Sequence, residues 1–298
     1  MEEKVLKIKT VHQCNCCMGA KTSHPLVSVI DLSEADLSQY TYIRFGFYTV
    51  FLQEHSCEDF ICGRQTYDYS DGTLVFLSPG EYFNLEKEKA YTSKGFILAF
   101  HPDLICGTSL GENIGIYSFF NYHIYESLHL SLREKQVITE CMQNIRREVQ
   151  HCIDNYSKIL ISGNIELMLD YCRRFYERQF ITRNNVNKAI IEKVDIMIDG
   201  LISNGKVKDK DCTCTACFAR KLHLSVAYFN DMLKHETGKE LSAYILSRCF
   251  ETAQILLQTT DKPISQIAFE LGFPNTQSFS RLFKKITGNS PHKYKSDN

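Results

Sequence analysis

No stretch of the 298-residue chain approaches the roughly 20 consecutive apolar residues that span a bilayer, and its start, MEEKVLKIKT, is too charged for a secretory leader. A cytoplasmic protein with no membrane partner is expected. Charge of one sign is not in excess either: the formal net charge is −1, which argues against a protein that coats nucleic acid indiscriminately. His-x-His pairs are absent, so no strand offers two imidazoles to one metal from a single face. His55 and His101 stand alone, and no nucleophile–base pair stands out. These gaps predict a chain that is not an enzyme and carries no cofactor.

What is present is ordinary globular composition, 44% hydrophobic and 23% charged, at a length that allows two domains with separate cores. The charge is unevenly spread. Residues 206–298 hold 14 Lys and Arg against 9 Asp and Glu, leaving 20 against 26 for residues 1–205. A modestly basic C-terminal end suits binding at specific nucleic-acid sites. Thirteen cysteines, an odd number in a chain expected to be cytosolic, argue against a disulfide framework, and most read as small buried hydrophobes. Two clusters stand apart: Cys14, Cys16 and Cys17, and Cys212, Cys214 and Cys217. Each offers three thiols where a closed zinc site takes four ligands, so His12 or His223 would have to complete it; a thiol switch and incidental cysteine are the alternatives.

The most informative stretch is PISQIAFELGFPNTQSFSRLFKKIT, residues 263–287, which predicts a helix, a tight turn and a second helix. Ile264, Ile267, Ala268 and Leu271 recur at i, i+3, i+4, i+7 and line one helical face, with Pro263 placed where a missing N–H costs nothing. Gly272 can take the positive φ of a reversal, after which Phe279, Leu282, Phe283 and Ile286 repeat the spacing until Gly288. Thr276, Gln277, Ser280, Arg281, Lys284 and Lys285 fall off this stripe. They supply the guanidinium, amide and hydroxyl groups that read base edges and the ammonium groups that hold phosphates, in the manner of a helix-turn-helix. A helical hairpin with a solvated basic face is the alternative.

A second copy lies upstream. Phe229, Met232, Leu233, Lys234 and Gly238 precede Phe279, Leu282, Phe283, Lys284 and Gly288 by 50 residues, and Phe218, Ala219 and Leu222 precede Ile267, Ala268 and Leu271 by 49. Ser225 is a suitable N-cap for the helix that follows it. Between the copies, residues 241–258 predict a helix with Ile245, Cys249, Ala253 and Leu256 on its apolar edge. At 1.5 Å per residue it is roughly 27 Å long, enough to hold two reading helices in successive major grooves, which lie ~34 Å apart on one face of DNA.

The stretches LHLSVAYFNDMLKHETGKELSAYI and ISQIAFELGFPNTQSFSRLFKKITGNSPHKYK resemble the C-terminal DNA-binding domain of AraC/XylS-type transcription regulators, including Pro291 and Tyr294 at the family's Pro-x-x-Tyr. The resemblance implies that the first reading helix presents Ala227, Asn230, Asp231 and Lys234, and the second Thr276, Gln277, Ser280 and Arg281. Ala227, an apolar stub, and Asp231, an anion, are poor partners for DNA, so the second motif is expected to carry more of the sequence reading. The expected DNA-binding residues are Asn230, Lys234, Thr276, Gln277, Ser280, Arg281, Lys284 and Lys285. The family further implies double-stranded DNA as the ligand, RNA polymerase as a second partner, a homodimer, and control by a small-molecule effector or by dimerisation.

Upstream, residues 26–30 and the stretches RFGFYTVFLQ, FICGRQTYDYS, TLVFLSPG, YFNLE and GFILAF are rich in β-branched and aromatic residues and separated by Asp-Gly, Pro-Gly and Lys-Gly breaks. They predict a small β-sandwich or barrel. In this setting YDYSDGTLVFLSPGE and FILAFHPDLI resemble the cupin-like sensor domain of the same family; cupin enzymes hold a metal through the His-x-His missing here. From residue 130 the period becomes helical. Ser131 and Glu134 form a capping-box pattern, Val137, Cys141, Ile145, Val149 and Cys152 make one stripe, and a second helix over 157–180 carries Ile161, Ile165, Met168, Cys172 and Phe175. The pair either covers the sheet or, as the family implies, forms a dimer interface. ERQFITRNNVNK predicts a polar linker, and a helix over 186–203 with Ile190, Val194, Met197 and Leu201 on one side opens the last domain. The expected fold class is α+β: a cupin-like β-barrel with a helical pair over 1–180, a linker over 181–185, and an all-α domain with two helix-turn-helix motifs over 186–298.

Overall fold

The computed structural model describes residues 5–34, 42–53, 68–84, 94–207 and 209–296. The chain divides into two compact units, Met1–Arg183 and Asn184–Asn298. The first contains β1 (Val5–Ile8), α1 (Val11–Cys17), β2 (Val27–Asp31), β3 (Tyr42–Phe45), β4 (Tyr48–Gln53), β5 (Gly72–Leu77), β6 (Tyr82–Asn84), β7 (Gly95–Phe100), α2 (Pro102–Ile105), α3 (Ser109–Asn113), β8 (Leu128–Leu130), α4 (Leu132–Gln150) and α5 (Ser157–Thr182).

Its strands form a three-stranded sheet, β1-β3-β6, and a five-stranded antiparallel sheet, β2-β7-β4-β5-β8. Ile43, Phe45 and Phe83 of the small sheet share a core with Phe51, Val75, Leu77, Ile97 and Ala99 of the large one, and Phe51 stacks on Phe83 at 5.1 Å between ring centroids. Among the described residues the strands do not close into the expected cupin-like barrel. Closure would need the sheet edges hydrogen-bonded to one another, whereas β2 packs against α4 and β8 against α5. Most of the expected strand FICGRQTYDYS, like His55, lies outside the described residues.

The large sheet is buried on its other face too. Val50, Leu52, Leu74, Phe76, Leu98 and Phe100 are each at most 4% exposed, and Phe76 meets Phe119 at 4.4 Å, which in turn stacks on Tyr176 of α5. Two buried faces explain why β4, β5 and β7 read as unbroken apolar runs rather than as alternations. The capping box of α4 is formed: Ser131 Oγ accepts from Glu134 N and the Glu134 carboxylate accepts from Ser131 N. All five stripe residues expected on α5 are buried. On α4 the buried set is Ile138, Cys141, Met142, Ile145 and Val149, while Val137 is half-buried; Cys152, expected on the same stripe, lies past the end of the helix and is exposed.

The second unit is all helical: α6 (Asn184–Ser203), α7 (Lys210–Thr213), α8 (Thr215–Leu222), α9 (Val226–Thr237), α10 (Leu241–Thr259), α11 (Ile264–Glu270), α12 (Thr276–Thr287) and α13 (Pro291–Ser296). Of residues 177–188, which hold the expected short linker over 181–185, only Arg183 lies outside a helix, and the boundary between the two units falls directly after it. Polar residues there are structural rather than solvated. Gln179 is 1% exposed, donating to Ser127 O and accepting from His129 N. Arg183 is 5% exposed and pairs with Asp68 through two hydrogen bonds of 3.1 and 2.6 Å.

Candidate nucleic-acid interface

Helices α8–α9 and α11–α12 are two helix-turn-helix units built on one plan. Each first helix ends in a Schellman closure: Leu224 N donates to Ala219 O at 2.9 Å, and Phe273 N to Ala268 O at 2.9 Å. The left-handed residue of the turn is Gly272, φ 80°, in the second copy and His223, φ 57°, in the first. A side chain at this position bears the steric strain glycine avoids. Each second helix has a side-chain N-cap, Ser225 Oγ accepting from Tyr228 N and Asn275 Oδ1 from Ser278 N. Each ends at a left-handed glycine, with Gly238 N donating to Lys234 O and Gly288 N to Lys284 O. Thr237 and Thr287, one residue earlier, donate to Leu233 O and Phe283 O.

The repeat runs further than the expected match, because the next helix in each copy opens with Tyr244 N to Glu240 O and Tyr294 N to Ser290 O, both 2.9 Å. Tyr244 and Tyr294 are 50 residues apart, and this shared offset was the available sign that Tyr244 matters. Its ring hydroxyl donates to Asp195 on α6 at 2.7 Å. Burial first, then that hydrogen bond and the Asp195 charge, push its pKa up to about 12. Arg248 on α10 ties the same helix pair by bonding both Asp199 oxygens, at 3.0 and 3.1 Å.

The apolar seams face inward. In the first copy Phe218 stacks on Phe229, both fully buried. In the second, Phe250 of α10 sits 5.7, 6.2 and 5.9 Å from Phe273, Phe279 and Phe283, and Tyr294 packs edge-on against Phe283 at 5.6 Å. Ile286, expected in this seam, is 51% exposed in the last turn of α12.

The eight expected DNA-binding residues lie on the opposite faces of α9 and α12. Asn230, Lys234, Gln277, Arg281, Lys284 and Lys285 are exposed; Thr276 and Ser280 are half-exposed. Among the described residues, none of these eight side chains is engaged in an ion pair or a side-chain hydrogen bond. On α9, Ala227 and Asp231 are half-buried. The second helix therefore presents three cations, an amide and two hydroxyls on one face, while the first presents one amide and one ammonium. α10 between them has 19 residues, about 28 Å at the standard rise.

Among the described residues no three His, Cys, Asp or Glu side chains converge to hold a metal ion. His12 instead bonds Thr22 Oγ1 at 2.9 Å and meets Cys16 Sγ at 3.6 Å. His101 caps α2, accepting from Asp103 N. No helix among the described residues is long and apolar enough to cross a membrane.

Residues 218–297 match a family model described as a helix-turn-helix domain. Over 77 residues the chain is 35% identical to the regulatory protein SoxS of Salmonella typhimurium, covering 26% of this chain and 72% of SoxS. Over 229 residues it is 24% identical to the probable transcriptional regulator LumQ of Photobacterium leiognathi, covering 75% of this chain and 82% of LumQ. Matches to two further curated relatives span 10% and 50% of their lengths. Among solved structures, the C-terminal domain of AraT, a response regulator from Geobacillus stearothermophilus, is 28% identical with a TM-score of 0.31, covering 37% of this chain and 85% of that one.

Proposed function

The chain belongs to the AraC/XylS-type transcriptional regulators, and we propose from that premise that it recognises specific duplex sites by placing α9 and α12 in successive major grooves. The observation that carries this reading is the pair of matched helix-turn-helix units, whose outward faces expose Asn230, Lys234, Gln277, Arg281, Lys284 and Lys285, engaged in no ion pair or side-chain hydrogen bond among the described residues. Arg281, Gln277, Thr276 and Ser280 read base edges, with Arg281 suited to a guanine through its two-pronged guanidinium. Lys284, Lys285 and Lys234 hold phosphates, and Asn230 is the base-reading group of the first motif. Ala227 and Asp231 leave α9 the weaker reader.

In this proposal the first unit is a sensor or dimerisation domain, and the protein works as a homodimer in the cytoplasm without catalysing a reaction. A dimer is supported by an apolar edge on and before α5, where Ile153, Tyr156, Ile159, Leu160 and Leu167 are 47–69% exposed. A small-molecule effector acting on this unit and RNA polymerase as the second partner complete the scheme. Selection of bound fragments from random duplexes by the full chain, with and without candidate small molecules, tests it. Enrichment of two subsites about one helical turn apart is expected. Failure to enrich any duplex would favour a module whose helix pairs contact protein instead.

A further inference from the structure

We propose that Cys214 and Cys217 form an oxidisable dithiol at the start of α8, which a hydroperoxide converts to an intrachain disulfide. The two residues lie just upstream of the matched helix-turn-helix domain, which begins at residue 218, and nothing in the proposed DNA reading uses them. Cys214 is the N-cap of the eight-residue α8 and Cys217 its third helical residue. Cys217 N donates to Cys214 O at 3.0 Å, closing a turn that brings the two Cα atoms within about 7 Å. A disulfide bridges Cα atoms roughly 4.4–6.8 Å apart, a range that this turn can reach.

The two thiols differ in access. Cys214 is exposed and Cys217 is 8% exposed, which assigns them the attacking and resolving roles. Cys212, two residues before Cys214, donates its proton to Asp209 Oδ2 at 3.2 Å. That hydrogen bond, then burial and the Asp209 charge, hold its pKa above the ordinary thiol value and keep the proton on its sulfur, whereas the exposed Cys214 thiol donates only to a neutral carbonyl, Asp211 O, at 3.5 Å. The other thiols at this spacing, Cys14 and Cys17, are different. Cys14 is fully buried, and burial followed by the Cys17 charge pushes it up to about 12, which leaves it protonated and inert.

The Cys214 thiolate attacks one peroxide oxygen and the O–O bond breaks. The departing oxygen takes up a proton and leaves as alcohol or water, and Cys214 becomes a sulfenic acid. The Cys217 thiolate then attacks the Cys214 sulfur. The S–S bond forms as the S–O bond breaks, and the hydroxide leaves as water with the proton lost by Cys217. Two thiols are oxidised and one peroxide is reduced. Because Cys217 adjoins Phe218, which stacks on Phe229, the bond acts on the helix that supports the first reading helix.

The full chain is treated with stoichiometric hydrogen peroxide, alkylated, digested after lysine and arginine, and the peptide between Lys210 and Arg220 is fragmented in a mass spectrometer. The expected result is a Cys214–Cys217 bond with Cys212 alkylated, reversed by a dithiol reductant. Cys214→Ser and Cys217→Ser each abolish the bond, and Cys212→Ser leaves its yield unchanged. Equal far-ultraviolet circular dichroism for all variants shows that they fold. Alkylation of both Cys214 and Cys217 after peroxide treatment, or a bond that uses Cys212, overturns the proposal.

Discussion

Replacing Arg281 with alanine separates recognition from folding. The side chain is exposed on α12 and, among the described residues, is engaged in no ion pair or side-chain hydrogen bond. Arginine and alanine also have similar helix propensities, so stability should change by less than about 0.5 kcal/mol. The whole effect then falls on the ligand. Losing a two-pronged contact to guanine costs about 1–3 kcal/mol of discrimination, which is about five- to 150-fold in affinity. Lys284→Ala removes a charge on the same face and should weaken every duplex alike. For one phosphate contact it lowers the slope of log affinity against log salt by ~0.9. Fluorescence anisotropy with a selected duplex and a scrambled one, across a salt series, reads both quantities. An equal loss on the two duplexes for Arg281→Ala would refute a base-reading role, and an unchanged slope for Lys284→Ala would refute the phosphate contact.

Three structural predictions accompany it. Phe250→Ala removes the ring that three aromatic side chains of the second motif meet; a loss of about 3–5 kcal/mol in denaturant unfolding is expected, with α11 and α12 losing amide protection before α8 and α9, and a loss below about 1 kcal/mol would contradict this packing. Asp68→Asn leaves Arg183 buried opposite a neutral partner and should cost about 3–5 kcal/mol, whereas the paired change Asp68→Leu with Arg183→Met should cost less; equal costs would show that the ion pair itself is not what matters. Tyr244, with its pKa raised to about 12, contributes stability that is complete below its unfolded value near 10 and is lost as the pH rises through its folded one. Alkaline unfolding of Tyr244→Phe should lack that component, and superimposable curves for the two proteins would count against the Asp195 contact.

The second unit was largely legible because its periodicity comes with punctuation. Gly272, Gly238, Gly288 and Ser225 mark where the helices must turn, and each occupies the backbone state expected of it. His223 went unread as a left-handed turn residue, since nothing in a histidine announces one; the 49-residue offset that aligns it with Gly272 was the available sign. On α6 the expected stripe of Ile190, Val194, Met197 and Leu201 is displaced to Val194, Ile198 and Ile202, a rotation that apolar residues on neighbouring positions leave undetermined. The first unit hid more. β8 is three residues long and centred on a buried histidine, His129, bonded to Thr73 Oγ1 at 3.0 Å, and so carries no alternating pattern. α2 and α3 are too short for a helical period to register. The polar run after residue 176 read as a linker because polarity marks surface and buried hydrogen-bonded residues alike, and only the Gln179 and Arg183 partners tell the two apart.

The most direct test is an equilibrium titration of the full chain against its selected duplex and a scrambled duplex of equal length, from about 50 to 200 mM salt. Affinity for the selected duplex is predicted to exceed that for the scrambled one by at least ~10³-fold, with both falling as salt rises. Equal affinity for the two, or binding that ignores salt, would contradict a duplicated helix-turn-helix that reads sequence.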